Sequence, residues 1–237
     1  MHNPIVFIHG SGDSARIWRL QVEQLAGDQQ AYAIDLPGHG QRLDTLPAHV
    51  TVSDYAAAAQ EIITDELRLQ HPIIAGHSLG GAVALAMALA YGSELGGLIL
   101  IGTGARLRVH PTLLEAARTT PQEAQHQLGE LAVTPAHSGT VPQAITREQA
   151  PPAPHILYRD LAACNVFDCM ARLDEISLPA LIICGVDDRL TPLKYSQFLH
   201  ERLKGSTLHV IPEAGHYVMR EQPEAVNAAI GDWLRQY

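Results

Sequence analysis

The chain has 237 residues, 46% of them apolar and 17% charged, which is enough for one well-buried domain with room for an insertion and excludes a disordered tail protein or a disulfide mini-scaffold. Its 25 acidic residues outnumber the 16 basic ones, giving a formal net charge of -9. A general nucleic-acid or anionic-membrane surface therefore lacks its electrostatic footing.

The start, Met1-His2-Asn3-Pro4, runs directly into an apolar strand pattern, with no basic stretch or small-residue cleavage site, so no secretory signal is expected. Short apolar runs bounded by turn residues predict strands at Ile5-Ile8, Ala31-Ile34, Ile73-Ala75, Leu98-Ile101, Ala180-Cys184 and Leu208-Ile211. Most are too continuous for half-exposed strands and read as buried on both faces. Helical patterns lie between and after them at Ala15-Leu25, Ser53-Leu69, Leu79-Tyr91, Lys194-Leu203 and Pro223-Arg235, the second with Ser53 as its expected N-cap. The apolar stretch from Gly80 to Ile101 divides into helix and strand around Ser93 and Glu94, which argues against a membrane span. Strand and helix alternate, so the expected fold is a mainly parallel, doubly wound α/β sheet with right-handed crossovers. That rhythm breaks between about Gly104 and Ser177, where helical patches are separated by turns such as Thr134-Pro135 and Pro151-Pro152-Ala153-Pro154. The division expected is a core of residues 1–104 and 178–237 with a helical insertion at 105–177. The three cysteines, Cys164, Cys169 and Cys184, are too few and too irregular for a disulfide framework or a zinc ribbon. Their odd number points to reduced thiols in a cytoplasm.

The most informative residues are Gly76-His77-Ser78-Leu79-Gly80, placed directly after a strand and before an apolar helix. In that setting G-x-S-x-G forces a serine into a tight turn at the carboxyl end of the sheet, where larger flanking residues would collide with backbone. The serine hydroxyl then sits at a helix N-terminus, which favours developing negative charge.

With that motif in place, the sequence resembles the α/β-hydrolase fold superfamily, in its serine-hydrolase branch with a helical cap. Further matches follow in chain order: His9-Gly10-Ser11-Gly12, Asp35-Leu36-Pro37-Gly38-His39-Gly40, Gly185-Val186-Asp187-Asp188-Arg189-Leu190-Thr191-Pro192 and Ala214-Gly215-His216. The resemblance implies Ser78 as nucleophile, His216 as its base and Asp188 as the acid that orients the imidazole. Asp188 is preferred to its neighbour Asp187 because the family pattern places the acid three residues after the glycine. The backbone N–H groups of Ser11 and Leu79 are the implied oxyanion donors. Substrate contacts are expected from Leu79, Tyr158, Phe167, Leu190 and Tyr217. Tyr158, Phe167 and Met170 read equally well as core of the insertion. His9, His39 and His77 read as loop structure, and Trp18 as packing a helix onto the sheet. Arg106, Arg108 and Arg159 read as solvated, with the capacity to pair with an anion should they reach the cavity.

The sequence departs from the family pattern in two places. The leading strands that usually flank the sheet are not seen, so Ala31-Ile34 should be an edge. Arg42 stands where many relatives carry serine.

The implied reaction is hydrolysis of a small to medium neutral carboxylic ester through an acyl-enzyme, with no cofactor and no metal. The expected partner is a small-molecule ester, with no nucleic acid and no membrane. Carbon-carbon bond hydrolysis, lactonase and thioesterase chemistry would use the same residues, although the carbon-carbon subgroup tends to carry asparagine where this chain has His77. A non-catalytic ligand receptor on the same fold is the alternative of another class.

Overall fold

The computed structural model describes residues 3–26, 30–149 and 152–236; Met1, His2 and Pro151 lie outside them. Six strands form one parallel sheet in the order β2-β1-β3-β4-β5-β6: β1 Ile5–Ile8, β2 Ala31–Ile34, β3 Ile73–His77, β4 Gly97–Ile101, β5 Ala180–Gly185 and β6 Thr207–Ile211. Side chains on a strand alternate between faces, and here both faces are covered. Val6, Ile8, Leu98, Leu100 and Ile182 pack with α2 (Val52–Glu61), α3 (Leu79–Tyr91) and α8 (Leu193–Arg202). Ile5, Phe7, Ile99, Ile101, Leu181 and Ile183 pack on the other face with α1 (Arg19–Leu25), α9 (Val218–Glu221) and α10 (Pro223–Gln236) and with Trp18, whose ring lies 4.9 Å from Phe7. Double burial is why the inner strands read as continuous apolar runs. The outer strands β2 and β6 are only partly buried, so the expectation of two buried faces fails for them. Ala31–Ile34 is an edge of the described sheet, as expected.

The second predicted helix begins earlier than expected. Thr51, not Ser53, is the N-cap of α2, because Thr51 and Asp54 exchange side-chain and backbone hydrogen bonds in a capping box. Its continuation through Ile62–Glu66 widens into a π-helical turn, and the helical pattern stops short of Leu69.

Between β4 and β5 the described chain is helical: α4 Pro111–Thr119, α5 Pro121–Ala132, α6 Val141–Glu148 and α7 Pro154–Val166, with 3-10 turns at Pro135–His137 and Met170–Glu175. Proline stands at the first or second position of each of the four helices, where its missing N–H costs nothing. Ala117, Ala124, Leu157 and Leu161 form a small core of their own.

The order of strands sets where a ligand can sit. The chain leaves β1 to one side to form β2 and returns to the other side for β3. This switch opens a crevice at the carboxyl ends of β1 and β3. The paired register Ile8↔Gly76 and His77↔Ile101 brings the loops after β1, β3 and β4 to one level.

Candidate active site

Ser78 connects β3 to α3 with φ 53° and ψ -114°, a left-handed conformation that costs a non-glycine residue about 1–3 kcal/mol. The turn is fixed by contacts that only glycine tolerates. A Cβ at Gly76 would lie 2.1 Å from the Gly80 carbonyl oxygen, and one at Gly80 would lie 2.2 Å from that of Ile8. The Ser78 N–H donates to the Ile101 carbonyl at 3.0 Å, and the Thr103 hydroxyl donates to the Ser78 carbonyl at 2.8 Å. The side chain is thereby presented above the sheet, at the N-terminal end of α3.

Asp188, buried in the loop after β5, has all its lone pairs directed. Oδ1 accepts from the Leu190 N–H at 2.9 Å and the Thr191 N–H at 2.8 Å, and Oδ2 accepts from the Thr191 hydroxyl and from His216 Nδ1, both at 2.8 Å. Burial raises the pKa of this carboxyl, but the His216 imidazole and the Thr191 donors outweigh that and hold it below the ordinary value. Asp187 is exposed, and its backbone N–H donates to Ala214. The two aspartates are therefore separated by environment, with Asp188 alone facing the imidazole.

His216 follows β6 in a loop held from two directions. Its N–H donates to the Ala132 carbonyl at the end of α5 at 2.7 Å, and its carbonyl accepts from His77 Nε2 at 3.0 Å. The His77 and His216 rings lie 4.5 Å apart. Burial, reinforced by His216, keeps His77 well below the ordinary histidine pKa, so it is a neutral donor through Nε2. His9 is also neutral, pushed down to about 4 by burial and then by His39. Its Nδ1–H donates to the Gly10 carbonyl at 2.8 Å and its Nε2 accepts from the Leu36 N–H at 3.1 Å. These two histidines hold loops, as expected from the sequence.

A cavity of about 510 Å³ brings Ser11, Ser78, His216, Leu190 and Tyr217 together. Its apolar wall comes from Leu107, Val109, Leu113, Leu128, Leu131 and Leu161. Of the expected substrate contacts, Leu190 and Tyr217 line it and the others do not. Leu79 is wholly buried in the core, because the first turn of α3 points its side chain at the sheet. Tyr158 packs in the small core of the helical segment and Phe167 against the main core, so their side chains stand away from the cavity. Leu128 and Leu131, three apart on α5, carry a helical spacing that the sequence reading passed over.

The cationic residues divide as well. Arg106 is exposed beside Asp168 at 3.7 Å. Arg108 and the unforeseen Arg189 line the cavity with their guanidinium groups engaged by the carbonyls of Asn165, and of Glu130 and Val133. Arg159 is buried, contrary to the expectation of a solvated position, because its donors all find partners: Nη1 is shared between the two Asp44 oxygens at 2.8 and 2.9 Å, and Nη2 donates to the Pro37 carbonyl at 3.0 Å.

Asp13 is a functional candidate that the sequence reading missed. It lines this cavity and a neighbouring one of about 720 Å³, and accepts from Gln149 Nε2 at 2.9 Å and from the Tyr217 hydroxyl. Burial lifts its pKa to about 6. Among the described residues no cluster of three His, Cys, Asp or Glu side chains could hold a metal ion, and no helix is long and apolar enough to cross a membrane. The three cysteines are free and buried.

Comparison with known proteins gives a consistent set. A model described as the alpha/beta hydrolase family matches residues 5–229. Pimeloyl-(acyl-carrier protein) methyl ester esterase of Neisseria meningitidis serogroup B is 30% identical over 248 residues, covering 97% of this chain and 92% of that protein. Among solved structures, a thermophilic esterase shares 33% identity with a TM-score of 0.84, over 99% of this chain and 90% of its own. A second thermophilic esterase, from Thermogutta terrifontis in a malate-bound form, shares 26% identity with a TM-score of 0.87 and the same coverage.

Proposed function

We propose that this chain, which belongs to the alpha/beta hydrolase family, is a serine hydrolase that cleaves small to medium neutral carboxylic esters. The observation that carries this reading is a shared cavity, where Ser78, on its strained turn, meets His216, whose Nδ1 is engaged by the buried Asp188. With Nδ1–H donating to Asp188, the neutral imidazole keeps its lone pair on Nε2. That nitrogen takes the Ser78 proton as Oγ attacks the ester carbonyl. The N–H groups of Ser11 and Leu79 receive the oxyanion, the alcohol leaves with the proton from His216, and water then attacks the acyl-enzyme by the same route. Asp188 stabilises the imidazolium formed in each step.

Residues 105–177 serve in this reading as a cap. The largely apolar wall favours neutral substrates, since an anion drawn out of water against it bears a large desolvation cost. The esterases among its relatives lend weight to ester over carbon-carbon chemistry. The test is a panel of esters, thioesters, lactones and ring-fission diketones assayed with wild type and Ser78→Ala. Highest kcat/KM on short neutral esters, abolished in the variant, is the expected result; preference for a diketone or undiminished turnover by Ser78→Ala overturns it.

A further inference from the structure

The cap region sends one acidic side chain into the core of the protein. Asp160, on α7, is completely buried and accepts hydrogen bonds from three separate elements. Its Oδ2 receives the Gly12 N–H at 2.9 Å and His39 Nε2 at 2.9 Å, and its Oδ1 receives the Tyr55 hydroxyl at 2.5 Å. His39 donates through both nitrogens, with Nδ1 directed at the Pro37 carbonyl at 3.2 Å. Burial opposes a charge on that ring, but Asp160 outweighs it and raises the His39 pKa above the ordinary value. Arg159 Nε donates to the Tyr55 hydroxyl at 3.1 Å and closes the cluster. A buried carboxylate held by three donors from three elements is rigid, and removing it leaves each donor without an acceptor.

What this carboxylate holds is the peptide between Ser11 and Gly12. On the other side of Ser11, the Gly10 carbonyl is held by His9 Nδ1–H and by the Asp13 N–H at 3.3 Å. A trans peptide points its C=O and N–H in opposite directions, so anchoring the Gly10 carbonyl aims the Ser11 N–H the other way. The second anchor is needed because Gly12, at φ +73°, is free to pivot. Cys164, four residues further along α7, meets the Ser11 hydroxyl at 3.7 Å and places the helix directly over the loop.

We propose that Asp160 is a positioning residue for ester hydrolysis: from the cap region it fixes the Ser11–Gly12 peptide so that the Ser11 N–H faces the developing oxyanion. Docking of α7 and assembly of the oxyanion site are then one event. The inference rests on the serine-hydrolase reading.

The experiment uses the full-length protein with 4-nitrophenyl acetate, and a trifluoromethyl ketone as a probe that forms a tetrahedral oxyanion. Asp160→Ala should lower kcat by about 10²-fold, the loss typical of one oxyanion donor, with KM changed less than about threefold. Ketone affinity should fall by the same factor as kcat/KM. Asp160→Asn can keep its amide oxygen toward Gly12 and present its NH2 to the Tyr55 oxygen, so both quantities should recover to within about threefold of wild type. Tyr55→Phe removes a donor from Asp160 without touching Gly12; it should lower Tm and leave kcat unchanged. The inference is overturned if folded Asp160→Ala keeps its kcat, or if turnover falls while ketone affinity does not. Should the alanine variant not fold, a loss of about 10²-fold in Asp160→Asn, or separate movement of its two readouts, overturns it, whereas joint retention supports it. Ester turnover surviving in Ser78→Ala would instead sink the serine-hydrolase reading, and that result is distinguishable from failure at Asp160.

Discussion

Asp188→Asn replaces a carboxylate by an amide of the same shape, and the four hydrogen bonds around it dictate how the amide must sit. Oδ1 faces two backbone N–H donors, Leu190 and Thr191, that cannot turn away, so the amide oxygen takes that position. The NH2 group is then left where Oδ2 met the Thr191 hydroxyl and His216 Nδ1. The hydroxyl can rotate to accept, but Nδ1 can only become an acceptor by moving its proton to Nε2. An imidazole protonated at Nε2 cannot take the Ser78 proton. The expected loss in kcat is about 10³ to 10⁴-fold, equivalent to about 4–5.5 kcal/mol of transition-state stabilisation. Asp187→Asn, at an exposed side chain, should change kcat by less than about twofold. Steady-state hydrolysis of a chromogenic ester by both variants, with circular dichroism to establish folding, measures the difference. Equal losses, or a larger loss at Asp187, would refute the tautomer argument.

Three further outcomes are expected. Between about pH 3.8 and about 6 the folded state keeps the proton on Asp13 while the unfolded chain releases it, so stability falls as pH rises through that window. Asp13→Asn should flatten that slope, worth about 3 kcal/mol for roughly two pKa units, in urea titrations at pH 4 to 7; an unchanged slope contradicts the assignment. In a chain-length series, kcat/KM should peak at short to medium acyl groups and fall for long chains, and matched carboxylate-bearing esters should be poorer than neutral ones, increasingly so as Asp13 ionises near pH 6. A preference for the anionic member would show that the guanidinium of Arg108 or Arg189 pairs with substrate. Gly80→Ala should leave little folded protein, because its Cβ would meet the Ile8 carbonyl at 2.2 Å and backbone on both sides would have to move; wild-type Tm would count against so tight a turn.

The parts of the structure legible in the sequence are those set by local rules. Continuous apolar runs located the four inner strands because both sheet faces are covered there, flanking turn residues marked out β2 and β6, and Gly76 and Gly80 marked the turn because backbone approaches it so closely. The N-cap of α2 was misplaced by two residues, since the reciprocal bonds of Thr51 with Asp54 outweigh the propensity of Ser53. Side-chain direction within the helical segment was not legible. Which face of α7 meets the cavity depends on docking, and it is Leu161 and Cys164, not Tyr158, that face it. Burial of Arg159 and Asp160 was equally hidden, because their partners Asp44, Tyr55, His39 and Gly12 lie more than a hundred residues away in the chain. Charged residues are usually exposed, and only long-range pairing reverses that rule.

The central claim is that Ser78 becomes acylated, and the most direct measurement is to react the protein with a fluorophosphonate and locate the adduct by peptide mass spectrometry. One label per chain on the peptide carrying Ser78, loss of ester turnover in step with labelling, and no label in Ser78→Ala are the expected results. An adduct on another residue, or full hydrolysis by a protein stoichiometrically labelled at Ser78, would contradict it.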